Sequence, residues 1–223
     1  MLKAVIFDFD YTLGDSTDGI VSCVNYAMGR LGLPPKTEAE IRRTVGLSLR
    51  DTFTALTGRD SGEADAARFA EYFHQQADRV MVDSTGLYDG TSEVLRDLKL
   101  AGCRTGIVTT KRRFRITQIL EKHGISGLVD LVVGAEDVKV EKPDPEGLLW
   151  AAGHLGVEKD RILYVGDSLV DARAAGNAGI AFAGVLTGTT GKEDFTPWPH
   201  VFIGEDIRDI YRFISSRIGT QNH

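Results

Sequence analysis

Two aspartates, Asp8 and Asp10, follow an apolar run near the start of the chain, residues 4–7. Such a run is typical of a strand that is buried on both faces of a parallel sheet. Side chains at positions i and i+2 of an extended chain point to the same side, so the two carboxylates should converge where the strand leaves the core. Like charges this close resist ionisation unless a cation lies beside them. The pair therefore predicts a metal site or an acid–base centre.

Other polar side chains follow the later predicted strands. In a parallel sheet the carboxyl ends of the strands meet at one edge, and ligands bind beyond that edge. Carboxylate oxygens suit Mg²⁺, while a hydroxyl group and an ammonium group suit the oxygens of a phosphate. The residues expected at this edge, besides the first two aspartates, are Thr109, Thr110, Lys142, Asp167 and Asp171.

Helices and strands alternate from Asp89 onward. Strands are predicted at 105–109, 131–133, 161–165, 180–185 and 201–203, and helices at 91–100, 114–122, 145–155, 170–178 and 207–218. This alternation predicts a parallel sheet that is covered by helices on both faces. The predicted core is therefore an α/β, doubly wound, Rossmann-like domain.

The stretch between Thr17 and Val82 has a helical pattern throughout. Its predicted helices are one at 20–31, a short one that Thr37 caps over Ile41 and Val45, one at 51–56 and one at 63–80. An all-helical domain is thus expected to be inserted after the first strand. Residues 1–14 and 83–223 are predicted to form the core domain, and residues 15–82 the insertion.

Four motifs in this chain resemble those of the haloacid dehalogenase superfamily, and within it the phosphatases with a helical cap, such as phosphoglycolate phosphatase and β-phosphoglucomutase. The motifs stand in family order: Asp8-Phe9-Asp10-Tyr11-Thr12, then Thr109, then Lys142-Pro143, then Gly166-Asp167-Ser168 with Asp171. One such motif alone is a weak signal. Four in order, each at a predicted strand end, are specific, and the resemblance covers essentially the whole chain.

The resemblance implies a Mg²⁺-dependent phosphatase that hydrolyses a small phosphorylated metabolite, of the phosphoglycolate kind, through an aspartyl-phosphate. It implies that Asp8 is the nucleophile and that Asp10 is first the general acid and then the general base. The dehalogenases of the superfamily lack a carboxylate at the position of Asp10, so this residue favours phosphate chemistry. Most relatives have glycine where this chain has Tyr11, so the loop departs from the family pattern there.

The same resemblance implies which residues hold the metal and the phosphoryl group. Mg²⁺ would be held by Asp8, by the backbone carbonyl of Asp10 and by Asp167, with Asp171 ligating the ion or orienting its waters. The groups that would stabilise the transferring phosphoryl group are Thr109, the backbone of Thr110 and Lys142.

The helical insertion is expected to close over the strand ends, which would exclude water and bring specificity residues to the leaving group. In its loop at residues 44–50, Arg50 is a candidate for contacting a carboxylate or a second phosphate of the substrate. The alternative is that Arg50 begins a helix and is simply exposed.

The composition limits which binding partners and which cellular location are expected for the protein. The 223 residues carry a formal net charge of −6, which gives no general attraction to nucleic acid or to an anionic membrane. No apolar run approaches the ~20 residues that a membrane span needs. The chain enters its first strand without a signal peptide, so a cytoplasmic protein is expected. A basic run is interpreted as a solvated helix face: Lys111, Arg112, Arg113 and Arg115.

Several alternatives stay open at this point. A sugar-phosphate mutase or an inorganic pyrophosphatase would share the same motifs, because fold and core motifs recur across many substrates. A phosphoryl-accepting receiver domain also uses a strand-end aspartate and Mg²⁺, but Asp10 and the helical insertion argue against it. A non-catalytic binding protein is a further alternative. The sequence does not decide between a monomer and a homodimer.

Overall fold

The computed structural model describes residues 1–60 and 64–218, and the chain divides into two compact units. The first unit comprises Met1–Asp15 and the chain from Leu87 onward, and the second comprises Ser16–Gly86. Within the described residues, no helix has the length and hydrophobicity that crossing a membrane requires.

The strands, in chain order, are β1 (Ala4–Phe7), β2 (Gly14–Asp15), β3 (Gly86–Leu87), β4 (Arg104–Val108), β5 (Leu131–Val133), β6 (Ile162–Gly166), β7 (Ala181–Val185) and β8 (Phe202–Gly204). Six of them form one parallel sheet in the order β5-β4-β1-β6-β7-β8, while β2 pairs with β3. The predicted parallel sheet is confirmed.

The α-helices are α1 (Thr17–Arg30), α2 (Glu38–Arg42), α3 (Leu49–Thr57), α4 (Ala64–Val80), α5 (Thr91–Leu100), α6 (Arg113–Lys122), α7 (Glu146–Leu155), α8 (Leu169–Ala178), α9 (Lys192–Phe195) and α10 (Ile207–Ile214). Helices α7 and α8 contact each other and pack on the sheet, where their apolar side chains meet Ile6, Tyr164 and Phe182. Helices α5 and α10 also contact each other and the sheet. All four side chains of β1 are buried, as its apolar run predicts.

The second unit is helical, as predicted. Helix α1 packs along α4, and α3 adds Phe53 against Phe69, whose ring centroids lie 5.7 Å apart. Helix α2 begins at the predicted cap, because Thr37 and Glu40 form a reciprocal capping box, but it ends at Arg42, before Val45. The predicted start of the next long helix at Glu63 lies outside the described residues.

The second unit extends to Gly86, four residues beyond the predicted boundary at residue 82. The side chains of Ser84 and Thr85 donate hydrogen bonds to the carbonyls of Val80 and Met81, at 2.7 and 2.6 Å. These bonds continue the end of α4, so the segment belongs with the helices. That this unit acts as a cap stays a prediction.

Most predicted element bounds in the first unit lie within one residue of the observed ones. The last helix is an exception: it ends at Ile214, and a 3₁₀ turn follows at Ser215–Arg217. The sequence also missed β2, β3 and α9, because elements of two to four residues are too short to show a periodic pattern.

Candidate active site

The predicted site residues of the first unit follow the carboxyl ends of β1, β4 and β6, except for Lys142, which comes from the segment between β5 and α7. Strand β1 lies between β4 and β6, with Phe7 in register with Ile107 on one side and Val165 on the other. The next residue, Asp8, keeps the backbone in place by donating its N–H to the carbonyl of Val165 at 2.8 Å. The side chain of Asp8 thus enters the site from the middle of the sheet.

The Asp8 carboxylate is buried and held at both oxygens. Its Oδ1 accepts the N–H of Phe9 at 2.7 Å, and its Oδ2 lies 2.9 Å from Nζ of Lys142. Burial raises the pKa of Asp8 to about 7, although the nearby ammonium of Lys142 lowers it and the carboxylate of Asp171 raises it further. Burial and the neighbouring negative charge thus disfavour the ionised form of Asp8, and a bound cation would stabilise that form.

Lys142 brings three polar groups of the site together. Its Nζ donates to Oδ1 of Asp171 at 2.7 Å and to the hydroxyl of Tyr164 at 3.0 Å, besides its contact with Asp8. Burial alone would lower the pKa of this ammonium, but the carboxylates of Asp171 and Asp8 outweigh burial and hold the pKa above its usual value. Lys142 is therefore a fixed positive charge.

Asp171 is fully buried, so it is not a surface residue in the first turn of α8. Its Oδ1 accepts from Lys142 and from the hydroxyl of Tyr164 at 2.8 Å, and its Oδ2 accepts from the hydroxyl of Ser168 at 2.5 Å. A Cβ at Gly166 would lie 2.5 Å from Cβ of Asp171, so only glycine lets the helix approach the strand this closely. These bonds favour a supporting role for Asp171, which orients Lys142.

The arrangement fits a divalent cation. One carboxylate oxygen from each of Asp8, Asp167 and Asp171 lies within 4.8 Å of the others, and all three residues are buried. Burial, with the neighbouring charges of Asp171 and Asp8, holds the pKa of Asp167 well above its usual range. Hard cations such as Mg²⁺ prefer oxygen ligands of this kind, and a bound cation would offset the mutual repulsion.

The loop after β7 closes on Asp167 at Gly188. A Cβ placed there would lie 2.0 Å from Oδ2 and 3.0 Å from Cβ of Asp167. The position therefore requires glycine because of the neighbouring carboxylate.

Replacing Gly188 with alanine should push the Asp167 carboxylate out of place. We expect Gly188→Ala to lower Mg²⁺ affinity about 10- to 100-fold, as disturbing the support of a ligand typically does. Isothermal calorimetry would measure the affinity. Gly191→Ala in the same loop is the control, because its nearest contact, Asp194 Oδ2 at 3.2 Å, is an exposed side chain. Unchanged Mg²⁺ binding by Gly188→Ala would contradict the prediction.

Asp10 has a different partner from Asp8. Its Oδ1 lies 3.0 Å from Nζ of Lys111, and the side chains of the two residues are 11% and 6% exposed. The interpretation of the basic run as a solvated face is wrong for Lys111, and also for Arg115, which is buried. The run fails because Lys111 still belongs to the loop after β4, which turns into the site before α6 begins at Arg113.

Thr109 and Thr110 follow β4, where they were predicted. Thr109 is buried, and its N–H donates to the carbonyl of Val133 at 3.0 Å. Its hydroxyl accepts the N–H of Lys111 at 3.2 Å, so this side chain supports the local backbone. Thr110 is half-buried. Their contact with a phosphoryl group stays a prediction.

Tyr11, where the loop departs from the family pattern, adopts a left-handed backbone conformation that favours glycine. Its φ is 59° and its side chain is fully buried. The strained loop is held by hydrogen bonds at both ends of the residue: the N–H of Tyr11 donates to the carbonyl of Gly14 at 2.8 Å, and the hydroxyl of Thr187 donates to the carbonyl of Tyr11. The loop therefore accommodates the bulky residue at a backbone cost.

A pair of variants measures that cost. Tyr11→Ala and Tyr11→Gly both remove the buried ring, which costs about 3–5 kcal/mol, but only glycine also relieves the left-handed strain. We expect Tyr11→Gly to be the more stable of the two by about 1 kcal/mol in urea unfolding. Gly29→Ala, in an exposed helical position with open space, should give the opposite sign. Equal stabilities of the two Tyr11 variants would contradict the strain.

Arg50 lies in the second unit, at the start of α3, and is exposed. Ser48 caps this helix by accepting the N–H of Asp51 at 3.1 Å. The sequence-based alternative, an exposed arginine that begins a helix, describes this location. A role in substrate recognition stays a prediction.

Sequence reasoning missed three residues of this site. Tyr164 reads as one more apolar position of β6, yet its hydroxyl joins Lys142 and Asp171. Lys111 was grouped with its basic neighbours, and Gly188 carries no side chain to attract notice. The signal that could have revealed Tyr164 is its position: a tyrosine, whose hydroxyl needs a partner when it is buried, stands two residues before Gly166-Asp167.

Comparison with known proteins identifies the family. Residues 5–185 match the family described as haloacid dehalogenase-like hydrolase. The chain is 35% identical to a phosphoglycolate phosphatase of Cereibacter sphaeroides, over 82% of this chain and 84% of that protein. It is 29% identical to the pyrophosphatase PpaX of Bacillus velezensis, over 94% of each chain. A crystal structure of a haloacid dehalogenase-like hydrolase from Bacteroides fragilis superposes with a TM-score of 0.90 at 39% identity, covering 94% of this chain and all of that one.

The chain therefore belongs to the haloacid dehalogenase-like hydrolases. It is an enzyme of the hydrolase class, and the predicted family and fold are confirmed.

Proposed function

We propose that this enzyme is a Mg²⁺-dependent phosphatase that hydrolyses a small phosphorylated metabolite through an aspartyl-phosphate on Asp8. The observation that carries the proposal is the pairing of two neighbouring aspartates with separate lysines. Asp8 lies with Lys142 at the three-carboxylate cluster, and Asp10 lies with Lys111 beside it. This arrangement supports a role for Asp8 in attack on phosphorus and a role for Asp10 in proton transfer.

The proposed reaction has two steps, in which Asp8 carries the phosphoryl group and Asp10 carries the proton. In the first, an oxygen of Asp8 bonds to phosphorus, the bond from phosphorus to the leaving oxygen breaks, and Asp10 gives that oxygen its proton. In the second, water attacks the same phosphorus, Asp10 takes a proton from the water, and the bond to Asp8 breaks to release inorganic phosphate. Lys142 supports both steps by neutralising charge beside Asp8.

The cation is proposed to lie on Asp8 and Asp167, with Asp171 holding Lys142 and supporting the ligands. When bound, Mg²⁺ would supply positive charge that lets an anionic phosphate approach an anionic nucleophile. The donor set of buried carboxylate oxygens supports this choice.

Phosphate release tests the proposal. Wild-type protein is assayed with p-nitrophenyl phosphate, phosphoglycolate, glycerol phosphate, glucose phosphates and pyrophosphate, each with Mg²⁺ and with EDTA. Mg²⁺-dependent release from at least one monoester is expected. Absence of release from all of them by folded protein would overturn the proposal.

Pyrophosphate is included because the relative that matches over 94% of this chain is named a pyrophosphatase. A kcat/KM for pyrophosphate above that for every monoester would favour this second candidate. Conversion between glucose phosphates without net phosphate release would be the signature of the mutase alternative.

Arg50 is proposed to recognise a negatively charged group of the substrate away from the phosphorus. We expect Arg50→Ala to raise KM for phosphoglycolate, which carries a carboxylate, by about 10- to 100-fold, since a lost charge-assisted contact costs about 1.5–3 kcal/mol. The KM for p-nitrophenyl phosphate, which lacks such a group, should change far less. Arg59→Ala, another exposed arginine of the second unit, is the control. Equal KM values for Arg50→Ala and wild type on every substrate would refute the role.

A further inference from the structure

We propose that Lys111 is a positioning residue that fixes the Asp10 carboxyl group for proton exchange with the leaving oxygen and with water. This inference rests on the proposed phosphatase function. Lys111 reaches Asp10 from the loop after β4, and the two charged ends lie 3.0 Å apart.

The ion pair between Lys111 and Asp10 is buried, which strengthens the attraction between the two side chains. The side chains of Lys111 and Asp10 are 6% and 11% exposed, so water screens their attraction poorly. Removing one partner of such a pair leaves an uncompensated buried charge, which reorients or draws in water. The position of the Asp10 carboxyl group should therefore depend on Lys111.

The backbone of Lys111 is anchored on both sides. Its N–H donates to the hydroxyl of Thr109 at 3.2 Å, and its carbonyl accepts the N–H of Ala135 at 3.1 Å. These bonds fix the point from which the long side chain starts. The fixed backbone therefore limits the positions that the flexible side chain of Lys111 can take near Asp10.

The two aspartates are held differently. Asp8 Oδ1 accepts a backbone hydrogen bond from Phe9, whereas Asp10 Oδ1 is buried and accepts no hydrogen bond within residues 1–60 and 64–218. The contact of Oδ1 with Lys111 is therefore an ion pair, and no backbone N–H holds this oxygen as Phe9 holds that of Asp8. The position of the Asp10 carboxylate thus depends more on Lys111 than on the local backbone.

Asp10 and the three-carboxylate cluster have different lysine partners. The cluster of oxygens within 4.8 Å contains Asp8, Asp167 and Asp171, and the Asp10 carboxylate is not a member. Lys142 forms an ion pair with Asp8 of that cluster, whereas Lys111 forms one with Asp10. The positive charge beside Asp10 is thus a different one from the positive charge beside the cluster.

The dependence of the rate on the leaving group tests this inference. An alkoxide leaving from glycerol phosphate needs a proton, whereas p-nitrophenolate leaves without one. We expect Lys111→Met to lower kcat for glycerol phosphate about 10- to 100-fold, with a much smaller loss for p-nitrophenyl phosphate and little change in either KM. Lys111→Arg, which keeps the charge, should recover most of the lost rate. Lys159→Met, which removes a lysine at the opposite edge of the sheet, is the control.

Combination with Asp10→Asn distinguishes positioning from a general structural effect. If Lys111 acts through Asp10, Lys111→Met should add little to the loss already caused by Asp10→Asn. Equal losses on both substrates would indicate a structural role, and a raised KM with unchanged kcat would indicate substrate binding; either overturns the inference.

A crystal structure of Lys111→Met provides a readout that needs no turnover. The Asp10 side chain is expected to leave its wild-type position. If it keeps that position, the positioning role is refuted even for a protein that hydrolyses none of the esters. Absence of wild-type hydrolysis, in contrast, would refute the proposed phosphatase function and not the contact.

Discussion

Asp8→Asn is expected to lower phosphate release by at least about 10³-fold, because it removes the oxygen that attacks phosphorus. The amide has nearly the same shape as the carboxyl group and can still accept from Phe9 N–H, as Asp8 does at 2.7 Å. The loss should therefore reflect chemistry and not a changed fold. Wild-type protein quenched in acid during turnover should carry a phosphoryl group that Asp8→Asn lacks.

The matched control is Asp160→Asn, an exposed aspartate that precedes β6 at the opposite edge of the sheet. Its activity should equal that of wild type. If Asp8→Asn kept more than about a tenth of the wild-type rate, a role as nucleophile would be ruled out, since loss of a nucleophile removes far more.

The same variant has an expected effect on stability in EDTA. Burial raises the pKa of Asp8 from 3.8 to about 7, so between these values the folded state binds more protons than the unfolded state. This contribution makes the free energy of unfolding fall as the pH rises from about 4 to about 7. Asp8→Asn lacks the contribution, so its stability should decline less over that range in urea titrations.

The parallel sheet, and the edge of it that holds the site residues, were predictable because both follow from short-range patterns in the sequence. The apolar run before Asp8 defines a buried strand, and alternation from Asp89 onward defines the parallel sheet. Once the strands are parallel, their carboxyl ends must share an edge, so residues as distant in sequence as Asp8, Lys142 and Asp171 are brought together. The observed contacts of Lys142 with both carboxylates agree with that logic.

What sequence reasoning missed depends on directions that the sequence does not encode locally. Lys111 and Arg112 are adjacent and chemically similar, yet Lys111 is buried against Asp10 while Arg112 is only half-buried, at the residue before α6 begins. A loop that turns before a helix starts decides this difference. The requirement for glycine at position 188 likewise arises from a contact with Asp167, across a loop that periodicity cannot place.

Lys142→Met should have the second large effect, in both activity and stability. It removes the ammonium that lies within 3.0 Å of Asp8, Asp171 and Tyr164. The two carboxylates would remain buried without their cation, which should cost about 3–5 kcal/mol in the free energy of unfolding in EDTA. Activity with Mg²⁺ should fall about 10²- to 10³-fold, the usual loss when a preorganised charge is removed from a phosphoryl or oxyanion site.

The double variant Lys142→Met/Asp171→Asn separates these two effects. Neutralising Asp171 removes one of the buried carboxylates that Lys142 compensated, so part of the lost unfolding free energy should return. Activity should stay low, because no ammonium then neutralises charge beside Asp8. Recovery of both stability and activity would instead show that Lys142 serves only as a structural counter-ion to Asp171. A divergence of stability and rate in this variant would show that the ammonium of Lys142 acts in catalysis as well as in holding the buried carboxylates.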